Sequence, residues 1–402
     1  STLDTKVDFT VGANLFDVVF ADIDGDGKPD MITTNQGDFA SVFRNIHSSG
    51  SITTGSFDTR NDFATGSGPE DVGIGDIDND GDLDIVTPNM TGGTVSILEN
   101  TSTSGSPSFA TKVDLTNVTA SGGEARVRDM DGDGKADIVI VNNAASGTLS
   151  TFQNIHAPGA TITTNSFTAK TAHTANANAA RFELGDIDGD GLADVVVVAT
   201  GSNDVSIFHN TSNAGNLTLA AQFDFAVGAA ARGVGIGDID GDGKLDILAA
   251  SQTPDFVSIY RNTATSGTID GSTLAAAVTY TTGTNPYRLD LGDIDGNGKI
   301  DIVVANEGSD NLSVLRNTAT SGTIDGSSFA TKVDFTAGNV PVSIAIADID
   351  GDGQPDVAAG ATGTGDVISV FHNLNGTIST FTDISGSATV NDAGSGQGAA
   401  FG

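Results

Sequence analysis

The chain has 402 residues, no Cys, 38% hydrophobic residues and a formal net charge of −35 at pH 7. Its length and apolar content permit a large core, and the missing thiols exclude a disulfide framework. No run of 18 apolar residues supplies a spanning helix, and the acidity opposes binding to nucleic acid or to an anionic membrane surface.

From the N-terminus, Ser1-Thr2-Leu3-Asp4 reads as a processed or excised start, and Thr5-Lys6-Val7-Asp8-Phe9 as a first strand. At Asp22 begins a nonapeptide of the form D-x-D-G-D-G-x-x-D, followed at once by the β-branched run Met31-Ile32-Thr33-Thr34. The motif returns at Asp76, Asp129, Asp186, Asp238, Asp293 and Asp348, at intervals of 52 to 57 residues. A fixed period of that length marks one supersecondary unit repeated.

The second copy displays the unit in full. Residues 72–77 alternate as a strand entering the loop, 83–87 leave it, 94–100 form a third strand and 109–115 a fourth. Four strands per period without an amphipathic helix is the signature of a propeller blade. The expected fold is therefore all-β, a seven-bladed β-propeller with four antiparallel strands per blade. It occupies residues 1–385, with strand 3–10 closing the last blade and 379–384 competing for that place. The Gly-, Ser- and Ala-rich stretch 386–402 reads as a flexible tail or linker.

The loops have the composition of a hard-cation site. Ca²⁺ takes six to eight oxygens at about 2.3–2.6 Å, and carboxylates at alternate positions of a tight loop converge on one point when glycines relieve the turn. In the first loop Asp22, Asp24, Asp26 and Asp30 offer side-chain oxygens, the carbonyl of Lys28 another, and Gly25 and Gly27 the turn. The second offers Asp76, Asp78, Asp80, Asp82 and Asp84; the third Asp129, Asp131, Asp133, Lys135 and Asp137; the fourth Asp186, Asp188, Asp190, Leu192 and Asp194. The fifth has Asp238, Asp240, Asp242, Lys244 and Asp246; the sixth Asp293, Asp295, Asn297, Lys299 and Asp301; the seventh Asp348, Asp350, Asp352, Gln354 and Asp356. Zn²⁺ fits poorly, because Cys is absent and no His lies inside a loop, and Mg²⁺ rarely sits in an all-protein cage. The loops hold 28 of the 52 acidic residues, and seven divalent cations, fourteen positive charges, would reduce the formal −35 to −21. Up to seven Ca²⁺, one per blade, are expected, which points to calcium-rich surroundings outside the cell.

Other recurrent residues have structural readings. An Asn closes the third strand of every blade, at 45, 100, 154, 210, 262, 317 and 373, where it can start a turn. His47, His156, His209 and His372 lie close by and read as solvated rim residues, while His173 falls in an outer strand. Arg126, Arg181, Arg232 and Arg288 fall three to six residues before the first loop aspartate of their blades, in segments expected at one mouth of the central channel, opposite the loops. Such a row either binds carboxylate or sulfate groups, with Phe16 and Tyr287 stacking on sugar rings or peptide side chains, or is consumed by carboxylates such as Glu124, Glu183 and Asp290.

Phe63-Ala64-Thr65-Gly66, then Pro69, then Gly75-Asp76-Ile77-Asp78-Asn79-Asp80-Gly81-Asp82-Leu83-Asp84 resembles the integrin-type FG-GAP repeat and the related bacterial VCBS-type repeat. Phe335-Thr336-Ala337-Gly338 with Pro341, and Tyr280-Thr281-Thr282-Gly283 with Pro286, repeat the pattern; the third copy departs from it at 116–124 and at Arg128. The resemblance implies a seven-bladed propeller with Ca²⁺ in the loop between the innermost strand and the next. Three functions compete: a non-catalytic extracellular recognition or adhesion module for carbohydrate or cell-surface protein, a propeller-type polysaccharide lyase or hydrolase using Tyr287 and Arg288, and a structural spacer. The first is favoured because the blades recur without one departing sharply, and the chain is expected to be secreted or on the cell surface, monomeric and not membrane-inserted.

Overall fold

The computed structural model describes residues 15–373, apart from 36, 49–51, 54, 117–122 and 363–366, together with 382–383. It contains seven four-stranded antiparallel sheets, each taking its strands in chain order. The innermost strands are Leu15–Ala21, Gly73–Gly75, Gly123–Arg128, Ala179–Gly185, Ala229–Gly237, Pro286–Gly292 and Pro341–Ala347. Each runs into an acidic loop, and each second strand starts on the last aspartate of that loop, as in Asp30–Asn35 and Asp301–Asn306. The expected seven-bladed propeller is the observed fold.

Strand ends differ from the pattern reading by a few residues. Phe109 in the second blade pairs with Asn100 only as an isolated bridge, and the outer strand is Val113–Thr116. In the seventh blade the outer place is held by Thr382–Asp383, paired with Phe371 and His372. The N-terminal strand expected there and the stretch 386–402 lie outside the described residues.

Apolar side chains fill the seven seams between blades. Val18 and Phe20 of the first blade pack with Ala345, Ala347 and Ile368 of the seventh, so the ring is closed by a hydrophobic seam like the others. Between the fourth and fifth blades the seam holds Val196, Val198, Ile207, Val234 and Ile247. Inner strands approach closely where Gly precedes the loop. A Cβ at Gly75 would lie 2.4 Å from Val127 Cγ1 and one at Gly185 2.6 Å from Ile236 Cδ1, distances no real side chain tolerates.

Around the ring runs a polar clasp. The ninth loop residue is buried in every blade, and its two oxygens have separate duties. In the fifth blade Asp246 Oδ2 accepts from Ile239 N at 3.0 Å, closing the loop, and Oδ1 accepts from Asn262 N at 2.8 Å, tying in the third strand. The Asn262 amide then donates to Leu245 O at 2.9 Å and, in the preceding blade, to Ile187 O at 2.6 Å. The same bond links Asn100 to Ile23, Asn154 to Ile77, Asn210 to Met130, Asn317 to Ile239 and Asn373 to Ile294, and Asn45 to Ile349 closes the circle. The expected turn is also present, since Asn262 Oδ1 accepts from Ala264 N at 2.8 Å.

Replacing Asn262 by Ala removes the amide donor from Ile187 O, in a buried bond, and from Leu245 O, in a part-buried one. At roughly 1–3 kcal/mol per unsatisfied buried group, Asn262→Ala should cost about 2–4 kcal/mol, read as a lower denaturant midpoint. An unchanged midpoint contradicts the clasp.

Candidate functional site

Each acidic loop is wound around its own carboxylates. Asp22 Oδ1 accepts from Asp26 N at 3.0 Å and Oδ2 from Gly27 N at 2.8 Å, while Asp26 Oδ1 accepts from Lys28 N at 3.1 Å. Gly25 and Gly27 hold φ of +67° and +88°, and Asn79, which stands at the first Gly position of the second loop, holds +60°, a value Asn tolerates. Oxygens of Asp22, Asp24 and Asp30 lie within 4.8 Å of one another, as do those of Asp76, Asp78 and Asp84 and of Asp129, Asp131 and Asp137. Burial pushes the ninth-position carboxyls up: Asp30, Asp84 and Asp246 to about 7 and Asp356 to about 8.

One residue per blade, immediately before the strand-closing Asn, faces the loop from the side. Arg44 Nε meets Asp24 Oδ2 at 2.6 Å and its Nη2 meets Asp26 Oδ2 at 2.9 Å. Arg261 and Arg316 approach Asp240 and Asp295 at 3.8 and 3.6 Å, and Gln153 donates to Asp131 Oδ2 at 2.7 Å. His209 Nε2 stands 3.0 Å from Asp188 Oδ2, and His372 Nε2 2.8 Å from Asp350 Oδ2. These contacts were missed from the sequence, although the fixed place directly ahead of Asn45, Asn154 and their counterparts was a signal for them. They also correct the reading of the histidines as solvated: His47, His156 and His372 are buried, and His47 and His156 share their Nδ1 atoms with Ser56 and Ser166.

At the other end of the inner strands the arginines do not form a row. They lie within the strands instead of in the connections before them, and their distance from the loop sets their depth. Three residues before the first loop aspartate is a deep layer holding Arg126, Glu183 and Asp290. Five residues before it is a middle layer with Asp17, Asp71, Glu124, Arg181 and Arg288. Six before it is the mouth, with Phe16, Glu70, Gly123, Ala180, Arg232, Tyr287 and Val342, and all seven line a cavity of about 370 Å³. In five blades the inner strand shifts register around this sixth residue, a bulge that turns it to the mouth.

Below the mouth the channel is crossed by ion pairs. Arg288 Nη2 of the sixth blade donates to Glu124 Oε1 of the third at 3.0 Å, and Arg181 Nε lies 3.4 Å from the same oxygen. Arg126 Nη2 meets Glu183 Oε1 at 2.8 Å. Carboxylates also bind the next blade's backbone: Asp71 Oδ2 accepts from Ala125 N at 2.8 Å and Asp290 Oδ2 from Ile346 N at 2.9 Å. Carboxylate pairing thus claims Arg126, Arg181 and Arg288. Among the described residues Arg232 has no ion pair; its guanidinium lies 5.2 Å from the Tyr287 ring centroid, and that of Arg181 4.6 Å. Tyr287 and Arg288, adjacent in sequence, part company, one at the mouth and one in the middle layer.

The FG-GAP-like repeat pattern matches residues 22–87, 129–197, 186–249 and 293–359. The chain belongs to the FG-GAP-like repeat family. Compared with curated proteins, its sequence has no significant match. Among solved structures this FG-GAP-like propeller is similar to an Agrocybe aegerita lectin that recognises non-reducing terminal N-acetylglucosamine, at 16% identity and TM-score 0.56, covering 92% of this chain and 94% of that one. It is similar to BBS1N, solved in complex with ARL6DN, at 12% identity and TM-score 0.52, covering 93% and 96%. Streptogramin B lyase matches at 12% identity and TM-score 0.52, covering 88% and 93%. At these identities the likeness is one of fold. Among the described residues no helix is long and apolar enough to cross a membrane.

Desolvation pushes Asp71 up to about 6, and Glu70 and Asp290 up to about 7. The folded chain keeps these protons well above the range near 4 where an unfolded carboxyl releases them. Stability present at low pH is therefore lost as pH rises through about 6–7. In metal-free buffer the melting temperature should fall from pH 5 to pH 8, and Asp290→Asn should shrink the fall. A flat profile, or no change in Asp290→Asn, contradicts this.

Proposed function

We propose that this FG-GAP-like propeller is a non-catalytic, extracellular calcium-binding recognition module that meets acidic carbohydrate at the mouth of its channel. Ca²⁺ would sit among the first, third, fifth and ninth loop side chains with the seventh carbonyl, an all-oxygen set suited to a hard cation. Carboxylate lone pairs not used by the clasp remain for it, and its charge would keep the buried ninth aspartates ionised. A requirement for calcium at extracellular concentrations supports a secreted or cell-surface location.

The observation that carries the ligand reading is Arg232. It stands at the mouth without a carboxylate partner among the described residues and is fixed by contact with Tyr287. A guanidinium held in that way is available for a carboxylate or sulfate group. The Tyr287 ring already carries two guanidinium groups, which leaves Phe16, partly exposed in the same cavity, as the apolar surface for a sugar ring. That the lectin neighbour binds sugar on a similar fold supports the same class of ligand without identifying it.

On an array of uronate-containing and sulfated glycans in calcium buffer, the full chain should bind; Arg232→Ala should lose at least about tenfold in affinity, the size of one good charge-assisted contact, and Phe16→Ala should also weaken binding by removing the apolar surface under the sugar ring. Binding unaffected by both substitutions removes the mouth as the site, and no glycan bound removes carbohydrate as the ligand.

A further inference from the structure

Seven loops of nearly one sequence face seven side chains that differ in kind. In blades one, five and six the facing residue is Arg, already a cation beside the carboxylates. In the fourth and seventh it is His, a potential ligand. We propose that the loops of these two blades are mixed imidazole–carboxylate sites that take a late first-row divalent ion such as Zn²⁺, through Asp188, Asp190 and His209 and through Asp350, Asp352 and His372. The inference rests on the reading that the loops hold cations, and adds which of them differ in preference.

Two observations carry it. Within each triad one oxygen from either Asp and one His nitrogen all lie within 4.8 Å of one another. The nitrogen is also buried without a hydrogen bond: Nε2 of His209 and Oδ2 of Asp188 are both shut off from solvent and face each other at 3.0 Å, an ion pair only when the imidazole carries a second proton. In the seventh blade His372 is 7% exposed, and its Nε2 points at Asp350 Oδ2 from 2.8 Å, again without a hydrogen bond. A buried imidazole nitrogen facing a carboxylate oxygen in this way is costly unless a proton or a metal ion joins them. Two ligands on one tetrahedral Zn²⁺, with bonds of about 2.0–2.2 Å, stand roughly 3.3–3.6 Å apart, so the pairs need open by only a few tenths of an ångström to about 0.8 Å to admit the ion.

Ligand chemistry then separates the blades. Imidazole is a weak partner for Ca²⁺ and a strong one for Zn²⁺, Ni²⁺, Cu²⁺ and Co²⁺. The absence of His within the loops weighs against Zn²⁺ only while each loop is considered alone, because the nitrogen comes from the third strand of the same blade. Gln153 of the third blade reaches Asp131 from the equivalent position, so that loop lacks only the imidazole.

The test uses the untagged full chain, stripped of metal and returned to saturating Ca²⁺, then titrated with Co²⁺ and followed by its visible absorption. The wild type should bind two Co²⁺ equivalents, released by Zn²⁺. His209→Gln and His372→Gln should each lose one, the double variant both, and Gln153→His should gain a third. Calcium-dependent melting of every sample reports folding and tests the calcium reading separately. If the wild type melts in a calcium-dependent way yet shows no Co²⁺ bands, or if the bands survive in the folded double variant, the histidine sites are overturned while the calcium reading stands. Co²⁺ bands lost with the histidines, with no calcium effect on melting, support the sites and overturn the calcium reading.

Discussion

Everything in this ring depends on one buried carboxylate per blade. The ninth loop aspartate closes its own loop through one oxygen and holds the third strand through the other, and the Asn so held reaches the preceding blade. Loop, sheet and ring are joined through the same group seven times. That group is also heavily burdened electrostatically. It is desolvated, and at least two further aspartates of its loop crowd toward it. Without a counter-ion, a proton is the only cheap relief, which is why the carboxyl moves up toward neutrality. A divalent cation offers relief without losing the acceptor.

The channel meets a similar problem with different means. Its charged layers are strongly mixed, with Arg288 spanning from the sixth blade to Glu124 of the third, and three carboxylates holding protons to pH 6 or 7. Buried ion pairs add little net stability over apolar packing, yet breaking one strands its partner. The arrangement therefore holds charged side chains across the channel below the mouth. The outermost layer varies as well, its bulge residues running from Phe16 to Ala180, Arg232, Tyr287 and Val342.

Fold and loops were legible in the sequence because both repeat: seven copies of one nonapeptide at near-constant spacing set the blade number, and alternation set the strands. The channel was not legible in the same way. Arg126, Arg181, Arg232 and Arg288 look alike when counted loosely from the loop, but a shift of one or two residues along a strand changes depth and facing, and a bulge adds a further step. The residue before the closing Asn was overlooked for the opposite reason. Its identity changes from blade to blade, so the repeat hides it, and only the sheet brings Arg44, Gln153 or His372 against carboxylates some twenty residues earlier. The second bond of each Asn, to a carbonyl in another blade, depends on ring closure and has no local sign.

On the reading proposed above, cations bound in the loops would stabilise the clasp that builds the ring. Calorimetric melting of the full chain at pH 8, in saturating Ca²⁺ and in chelator, tests it most directly. The transition should lie higher in calcium by on the order of 10 °C or more, as expected when several ions bind only the folded state. Coincident transitions in the two buffers would contradict that reading.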